Sequence, residues 1–236
     1  MRGCLAVLVL AAAFGVAVVW VAGPPVAAGI VTVGLGLTGF EAEDTAVTVV
    51  ADPPLDLLGG RADELRISAS NAAFGGLTAA TVDLVLVDVG IVERSAASVS
   101  GRLDGVVVGA TDERLAVASI AFDGAADEAD AVARVSAGAI EALAARAIES
   151  RVGTAPDGVR LVAPDRLTFT VAGVSAEARL AADDSGNLVA VGVPGSAGPI
   201  VLVAAESTAP FELNGLAVEG GQLVVRGTLD VEALVR

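Results

Sequence analysis

The chain has 236 residues, of which 54% are hydrophobic and only 3% aromatic, so its apolar content is almost all Ala, Val, Leu and Ile. It contains 29 acidic residues and 14 basic ones, every one of them arginine, and its net charge is −15. Nucleic-acid binding is excluded, because neutralising phosphates requires positive charge. Docking on anionic lipid through a basic patch is excluded for the same reason, so any contact with lipid must be mainly apolar.

The chemistry of common catalytic and metal sites is missing from the sequence. There is no histidine, and Cys4 is the single cysteine. An internal disulfide, a cysteine metal cluster, a Ser-His-Asp triad and the usual zinc sites are therefore excluded. We interpret Cys4 as a bystander and predict no catalytic residue, no metal site and no cofactor.

The N-terminus begins with an uncharged apolar run at residues 5–22. Eighteen helical residues span about 27 Å, close to the ~30 Å hydrocarbon core of a bilayer. We expect an N-terminal hydrophobic helix within residues 1–39, either a signal peptide cleaved near Ala27 and Ala28 or a retained membrane anchor. Residues 40–236 would then lie on the extracytoplasmic face of the cytoplasmic membrane, in the cell envelope, or be secreted or periplasmic after cleavage.

From residue 44 onward the apolar residues alternate with polar ones, as in strands with one buried face. Residues 65–69 and 167–171 show the pattern clearly. Turn signals at 111–114, 183–187 and 219–221 separate such runs and predict antiparallel hairpins. The sequence therefore predicts an antiparallel meander.

Residues 81–89 differ from the other predicted strands because both of their faces are apolar. Leu84 and Leu86 lie on one face, with Val85 and Val87 on the other. Such a strand is expected to be covered on both faces, one of them by a helix.

One long helix is predicted at residues 127–151, where apolar residues recur at three- and four-residue spacing. Its acidic start and the following Gly153 are typical of helix ends. The pattern as a whole predicts a single α+β domain over residues 40–236.

Two acidic groups could carry hydrolytic or transferase chemistry without histidine. Asp183 and Asp184 lie in a predicted hairpin turn, and residues 127–130 open the predicted helix. Acids occupy both kinds of position for structural reasons, so we interpret them as structural. The Gly-rich residues 191–199 are predicted to form a loop, since no lysine is present to complete a phosphate site.

Residues 47–89 (VTVVADPPLDLLGGRADELRISASNAAFGGLTAATVDLVLVDV) and 211–231 (FELNGLAVEGGQLVVRGTLDV) resemble the LmeA-like phospholipid-binding family of actinobacterial envelope proteins. The likeness lies in a strand, a Pro-x-apolar segment, Gly-x-x-Asp before a second strand, and a long alternating strand. It covers residues 40–236. The chain departs from the family in its few aromatics and absent lysines.

The resemblance implies a fold similar to the tubular lipid-binding, or bactericidal/permeability-increasing, superfamily. In that fold a curved antiparallel sheet wraps one long helix and leaves an apolar groove. The implied activity is binding of a phospholipid or a related polyprenyl lipid or glycolipid, in support of envelope glycolipid assembly.

We predict a non-enzymatic lipid-binding protein, attached to the membrane through its N-terminal helix and able to form a homodimer. The expected groove-lining residues are Leu55, Leu57, Leu58, Leu84, Leu86, Val135, Ala139, Leu143 and Phe169. The three leucines would line or lid the groove mouth; alternatively they form a helical turn that packs into the core. The competing hypotheses for the whole chain are an extracytoplasmic structural or interaction module with a filled core, and a histidine-free carboxylate enzyme.

Overall fold

The computed structural model describes residues 27–29, 31, 40–74, 77–108, 114–204 and 211–230. The predicted apolar helix at 5–22 and Cys4 lie outside these residues. Among the helices of the described ranges, none has the length and hydropathy needed to cross a membrane.

Within these ranges the chain folds mainly into β-strands. An α-helix, α1, covers Ala137–Val152, residues 27–29 and 31 are also helical, and a short 3₁₀ helix, η1, covers Pro54–Gly59. The strands, numbered in chain order, are β1 (Asp44–Val50), β2 (Arg61–Phe74), β3 (Leu77–Gly90), β4 (Ser98–Val108), β5 (Leu115–Ala125), β6 (Glu128–Ser136), β7 (Asp157–Val162), β8 (Arg166–Val171), β9 (Val174–Ala182), β10 (Leu188–Val191), β11 (Ile200–Val203), β12 (Phe211–Glu219) and β13 (Gln222–Leu229).

The strands form two sheets in which the paired neighbours are antiparallel. The large sheet has the order β1-β2-β3-β4-β5-β6-β13-β12, and the small sheet has the order β11-β10-β9-β8-β7. The prediction of a mostly antiparallel β protein is confirmed. The meander continues through β6, then starts again as a separate sheet at β7, and the last hairpin returns to the large sheet.

The predicted helix at 127–151 is wrong in its first third. Residues Glu128–Ser136 form β6, and the helix begins only at Ala137. Ala129, Ala131 and Val135 are buried while Asp130 and Arg134 are exposed, a period-2 pattern that the high helix propensity of Ala and Arg obscured. Pairing with β5 on one side and β13 on the other fixes the segment as a strand.

Local signals set both ends of α1. Ser136 is extended, and its hydroxyl accepts a hydrogen bond from the amide of Ala139 at 3.3 Å, which satisfies one of the free N–H groups of the first turn. Gly153 ends the helix in the left-handed conformation, and its amide donates to the carbonyl of Glu149.

Two of the predicted hairpin turns are confirmed. Residues 183–187 join β9 to β10, and Gly220 and Gly221, both at positive φ, join β12 to β13. The third, at 111–114, falls mostly outside the described residues, although β4 and β5 pair as a hairpin requires. Asp127, expected at a helix N-terminus, lies instead in the tight turn between β5 and β6.

Helix α1 lies between the two sheets. Ile140, Ala144 and Ile148, spaced four residues apart on one face, are 0% exposed. The helix contacts β5, β6 and β13 of the large sheet, and it contacts β7 and β11, the two edge strands of the small sheet. One core therefore contains residues from both sheets and the helix, including the buried Leu167, Leu180 and Leu223.

The second face of β3 is not covered, contrary to the expectation from its sequence. Val85 is half-buried and Val87 is 38% exposed, whereas Val82 and Val89 on the inner face are buried. Valine favours strands even on a partly solvated face, so its presence there did not require a covering layer.

The position of α1 leads to a test of the core. Ile148→Ala is expected to lower the free energy of unfolding by about 2–5 kcal/mol, because it removes a fully buried side chain and leaves a cavity. Val174→Ala, at a residue 66% exposed in the small sheet, should change it by less than about 0.5 kcal/mol. Urea unfolding of the full chain in mild detergent, followed by circular dichroism, measures both. Equal, small effects would contradict a helix packed between the sheets.

Candidate functional site

The inner face of the large sheet is apolar across its whole width. In an antiparallel pair, residues directly opposite each other share a face, so the register gives rows of neighbours. One row crosses six strands in the order Val82, Leu103, Ile120, Ala133, Val225 and Leu216. Leu84 and Leu86 extend the same face along β3.

Most of this row is only half-buried. We call its half-buried members, together with the two β3 leucines, the apolar strip: Leu84, Leu86, Leu103, Ile120, Ala133, Val225 and Leu216. On the same face, Val106, Val117, Val135 and Leu223 are buried where α1 and the small sheet cover them. The strip is thus an incompletely covered part of a larger apolar face.

The rows beside the strip combine small and large residues. Ala129, Ala131, Gly124 and Gly227 lie in these rows together with Val99, Phe122 and Leu229. At Gly101 the missing side chain is filled by neighbours, since a Cβ there would lie 2.6 Å from Leu84 Cδ2 and 2.6 Å from Phe122 Cζ. The ring of Phe122 therefore lies over Gly101 and forms one wall of the strip.

Leu84 and Leu86 are the predicted site residues that belong to the strip. Leu84 packs against three separate apolar clusters, one around α1, one beneath β1 to β3, and one around Phe122. Leu86 packs against the last two of these.

The predicted residues around the helix lie in the core rather than in a groove. Val135 and Phe169 are 3% and 4% exposed, and Val135 belongs to β6 instead of the predicted helix. Ala139 and Leu143 do lie on α1, half-buried against the same core. The structure brings these four residues together around α1, with Leu84 packed at the edge of the same cluster.

One leucine of η1 packs inward and the other two are exposed. Leu57 packs against the cluster beneath β1 to β3, whereas Leu55 and Leu58 are 41% and 74% exposed. The segment is a helical turn at the end of the sheet, in which Pro54 and Leu57 face inward.

Five strip residues were missed by sequence reasoning: Leu103, Ile120, Ala133, Leu216 and Val225. Alternation in residues 115–125 places Ile120 and Phe122 on one face and Val117 on the other, and it shows neither the irregularity after Val117 that reverses this nor which inner residues stay half-buried. That distinction depends on which part of the sheet α1 covers, which no local pattern records.

Two surface depressions are present. One, of about 440 Å³, is lined by residues of β7 to β9 such as Thr168, Thr170 and Glu177. The other, of about 410 Å³, lies over β1 to β4, and its lining includes Arg66, Asp83, Arg102 and Leu84 of the strip. Both arginines form ion pairs within their own strands, with Glu64 and Asp104.

The acidic groups considered for catalysis have structural partners. Asp183 accepts hydrogen bonds from the amides of Ser185 and Asn187, both at 2.9 Å, and from the Asn187 side chain at 2.8 Å. These bonds, led by the Asn187 side-chain amide, hold the pKa of Asp183 below its usual value of 3.8. Among the described residues there is no cluster of three or more acidic, histidine or cysteine side chains able to hold a metal ion.

No protein-family model, no curated protein and no solved structure matches this chain.

Crowding at Gly101 gives a test of the Phe122 wall. Gly101→Ala is expected to lower the free energy of unfolding by about 1–3 kcal/mol, because the new methyl group displaces Leu84 and Phe122. Gly215→Ala is the matched control, since Gly215 lies in β12 of the same sheet and a Cβ added there would have no atom within 4 Å. Urea midpoints of the two variants should differ clearly; equal midpoints would contradict the packing of Phe122 over Gly101.

The turn at Asp183 should make a pH-dependent contribution to stability. Because its folded pKa lies below the unfolded value, the ionised carboxylate stabilises the fold above the unfolded pKa, and the effect is lost as pH falls through the folded pKa. Asp183→Ala should therefore destabilise the protein at neutral pH, and the difference from the unmodified chain should shrink in acid. Urea unfolding at several pH values measures this. Asp184→Ala, at the exposed neighbouring residue, is the control; a pH-independent effect of Asp183→Ala would contradict the assignment.

Proposed function

We propose that the apolar strip binds the hydrocarbon chain of a phospholipid or of a related polyprenyl lipid or glycolipid, and that the protein holds or carries this lipid in the cell envelope. The observation that carries the proposal is the half-buried state of seven apolar side chains on a face where Val106, Val117, Val135 and Leu223 are buried. A second apolar layer would complete their burial, and a lipid chain supplies one.

The dimensions of the strip suit a hydrocarbon chain. Six neighbouring strands about 4.8 Å apart extend over about 24 Å. One leaflet of a bilayer occupies about half of the ~30 Å hydrocarbon core, or roughly 15 Å. An acyl chain could therefore lie across the strands, along the row from Val82 to Leu216, within the width of the sheet.

The energy of transfer is compatible with holding a lipid if contact is extensive. Burial of each methylene contributes about 0.8 kcal/mol, in a bilayer as in a protein. Extraction is then close to neutral only where the protein covers the chain as completely as the membrane does.

The contacts of α1 support a fold similar to the tubular lipid-binding superfamily. In a flat five-stranded sheet the edge strands lie about 19 Å apart, and a helix packed on one face stays near its middle. Here α1 contacts both edge strands, β7 and β11. We infer that the small sheet curves around the helix, as the resemblance to the LmeA-like family implies.

The proposal specifies the cellular location of the protein but not the headgroup of the lipid. The apolar run at 5–22 would attach the chain to the extracytoplasmic face of the cytoplasmic membrane, or would direct its export. The net charge of −15 and the absence of lysine give no basic cluster for an anionic headgroup, so recognition would rest on the hydrocarbon. Pairing of two copies into a longer groove is compatible with this arrangement.

A structural or interaction module with a filled core is the second candidate. The observation that favours it is the tight core around α1, where Ile140, Ile148 and Leu180 are at most 1% exposed. In addition, Leu84 is the one strip residue that lines either of the two surface depressions, so neither depression forms a groove along the strip. In this alternative the strip would be an ordinary half-buried part of a sheet.

Lipid occupancy separates the two candidates. The full chain, purified from a host with a native-like envelope in a mild detergent, should release close to one lipid per protein, observed by native mass spectrometry and identified after organic extraction. Ala133→Trp is expected to abolish binding, because the ring fills the strip from β6 without adding charge.

Arg134→Trp is the matched control, since Arg134 is exposed on the opposite face of the same strand, and it should retain the lipid. Circular dichroism must show that both variants remain folded. A lipid-free unmodified chain that takes up no lipid from added vesicles would overturn the proposal in favour of the filled module. Retention of lipid by a folded Ala133→Trp would move the site away from the strip.

A further inference from the structure

The outward face of η1 carries two exposed leucines. In a 3₁₀ helix with three residues per turn, side chains three positions apart lie directly above one another. Leu55 and Leu58 have this spacing and share the solvent face, at 41% and 74% exposure, while Leu57 faces inward. Leu57 therefore anchors the turn to the fold, whereas Leu55 and Leu58 form an exposed pair.

A third exposed side chain lies next to them. Val92, in the turn between β3 and β4, is 76% exposed, and its Cγ2 lies so close to Gly60 that a Cβ there would be 2.6 Å away. The amide of Ile91 donates to the carbonyl of Gly60 at 2.8 Å, which ties this turn to the end of η1. Ile91, like Leu57, packs inward. We call Leu55, Leu58 and Val92 the apolar tip.

The N-terminal segment packs beneath the same tip. Ala27, Ala28 and Val31 belong to the cluster that also holds Leu57 and Ile91. The apolar run ends at Ala22, five residues before Ala27, and five residues of extended chain reach at most about 18 Å. A bilayer that holds the run is therefore within about 18 Å of the cluster on which the tip is built.

We propose that the apolar tip is a membrane-contact surface that dips into the interface of a lipid bilayer. Leu58 and Val92 are 74% and 76% exposed, and apolar side chains exposed to this degree are costly in water. They lie beside the cluster that contains Ala27, five residues after the end of the apolar run, so we take a bilayer as the partner that covers them. Side chains of this size reach the boundary between headgroups and acyl chains, where apolar groups bury about 5–10 Å deep.

The charges around the tip decide which kind of bilayer surface fits. Residues 52–61 and 91–94 contain three acids (Asp52, Asp56, Glu93) and two arginines (Arg61, Arg94), which leaves a net charge of −1. No positive excess is available to attract anionic lipid. Contact is therefore apolar and is expected to be at least as strong on a zwitterionic surface as on an anionic one.

Fluorescence depth measurement on the full chain tests the tip. In a Cys4→Ser background, Leu58→Cys carries a polarity-sensitive fluorophore, and the protein is reconstituted in phosphatidylcholine vesicles. The fluorophore should shift its emission to the blue and be quenched by nitroxide-labelled lipid while resisting aqueous iodide. Val174→Cys, 66% exposed in the small sheet, is the matched control and should be quenched by iodide alone.

The outcomes separate this inference from its alternatives. Iodide quenching at position 58 equal to that at position 174 would overturn it. Shielding that rises with protein density and is insensitive to nitroxide lipid would assign the tip to a second copy of the chain, which also overturns it. A blue shift that appears only with phosphatidylglycerol would overturn the apolar mode of contact.

Lipid carriage is read independently. The tip does not require the strip to bind lipid, so labelled Leu58→Cys combined with Ala133→Trp should keep its membrane depth even when native mass spectrometry shows an empty strip. Loss of depth with lipid still bound would reject the tip alone.

Discussion

Helix α1 packs against both sheets, and the rest of the structure depends on this contact. Ile140, Ala144 and Ile148 join sheets that share no paired strand. A 16-residue helix is about 24 Å long, whereas 14-residue strands such as β2 and β3 extend about 46 Å. The helix cannot cover the whole inner face of the large sheet. Ala27, Ala28 and Val31 cover the end of this face that lies farthest from α1. The apolar strip lies between that end and the part of the face that α1 covers.

The acidic charge follows from the same arrangement. With the apolar residues on the inner face, the outer strand positions carry the charges, and ion pairs form there between exposed side chains, such as Arg166 with Glu177 at 2.5 Å and Arg226 with Glu219 at 2.6 Å. Exposed pairs of this kind contribute little to stability. The net charge acts mainly on association. A surface with net charge −15 is repelled by anionic membranes and by other copies, so close contact must be made by apolar groups.

Local patterns were sufficient for the hairpins and insufficient for the layers. Strand formation at 65–69 and 167–171 and the turn at 183–187 depend on neighbouring residues, so these elements can be predicted from the local sequence. The segment 128–136 satisfies both helical and strand periods, and only its pairing with β5 and β13 decides between them. In the candidate site, Leu84 and Leu86 could be predicted from their strand. The other strip residues could not, because their partial exposure is set by the length and position of α1.

Leu84 shows how the three apolar clusters are connected. It packs against the cluster beneath the tip, the cluster around Phe122 and the core around α1, so the inner face is one continuous apolar surface. The ends of that surface are filled by buried side chains such as Leu65 and Leu223, while the strip between them keeps its leucines half-buried. On the proposed function the hydrocarbon chain of the lipid covers these half-buried side chains and completes the apolar layer over the sheet.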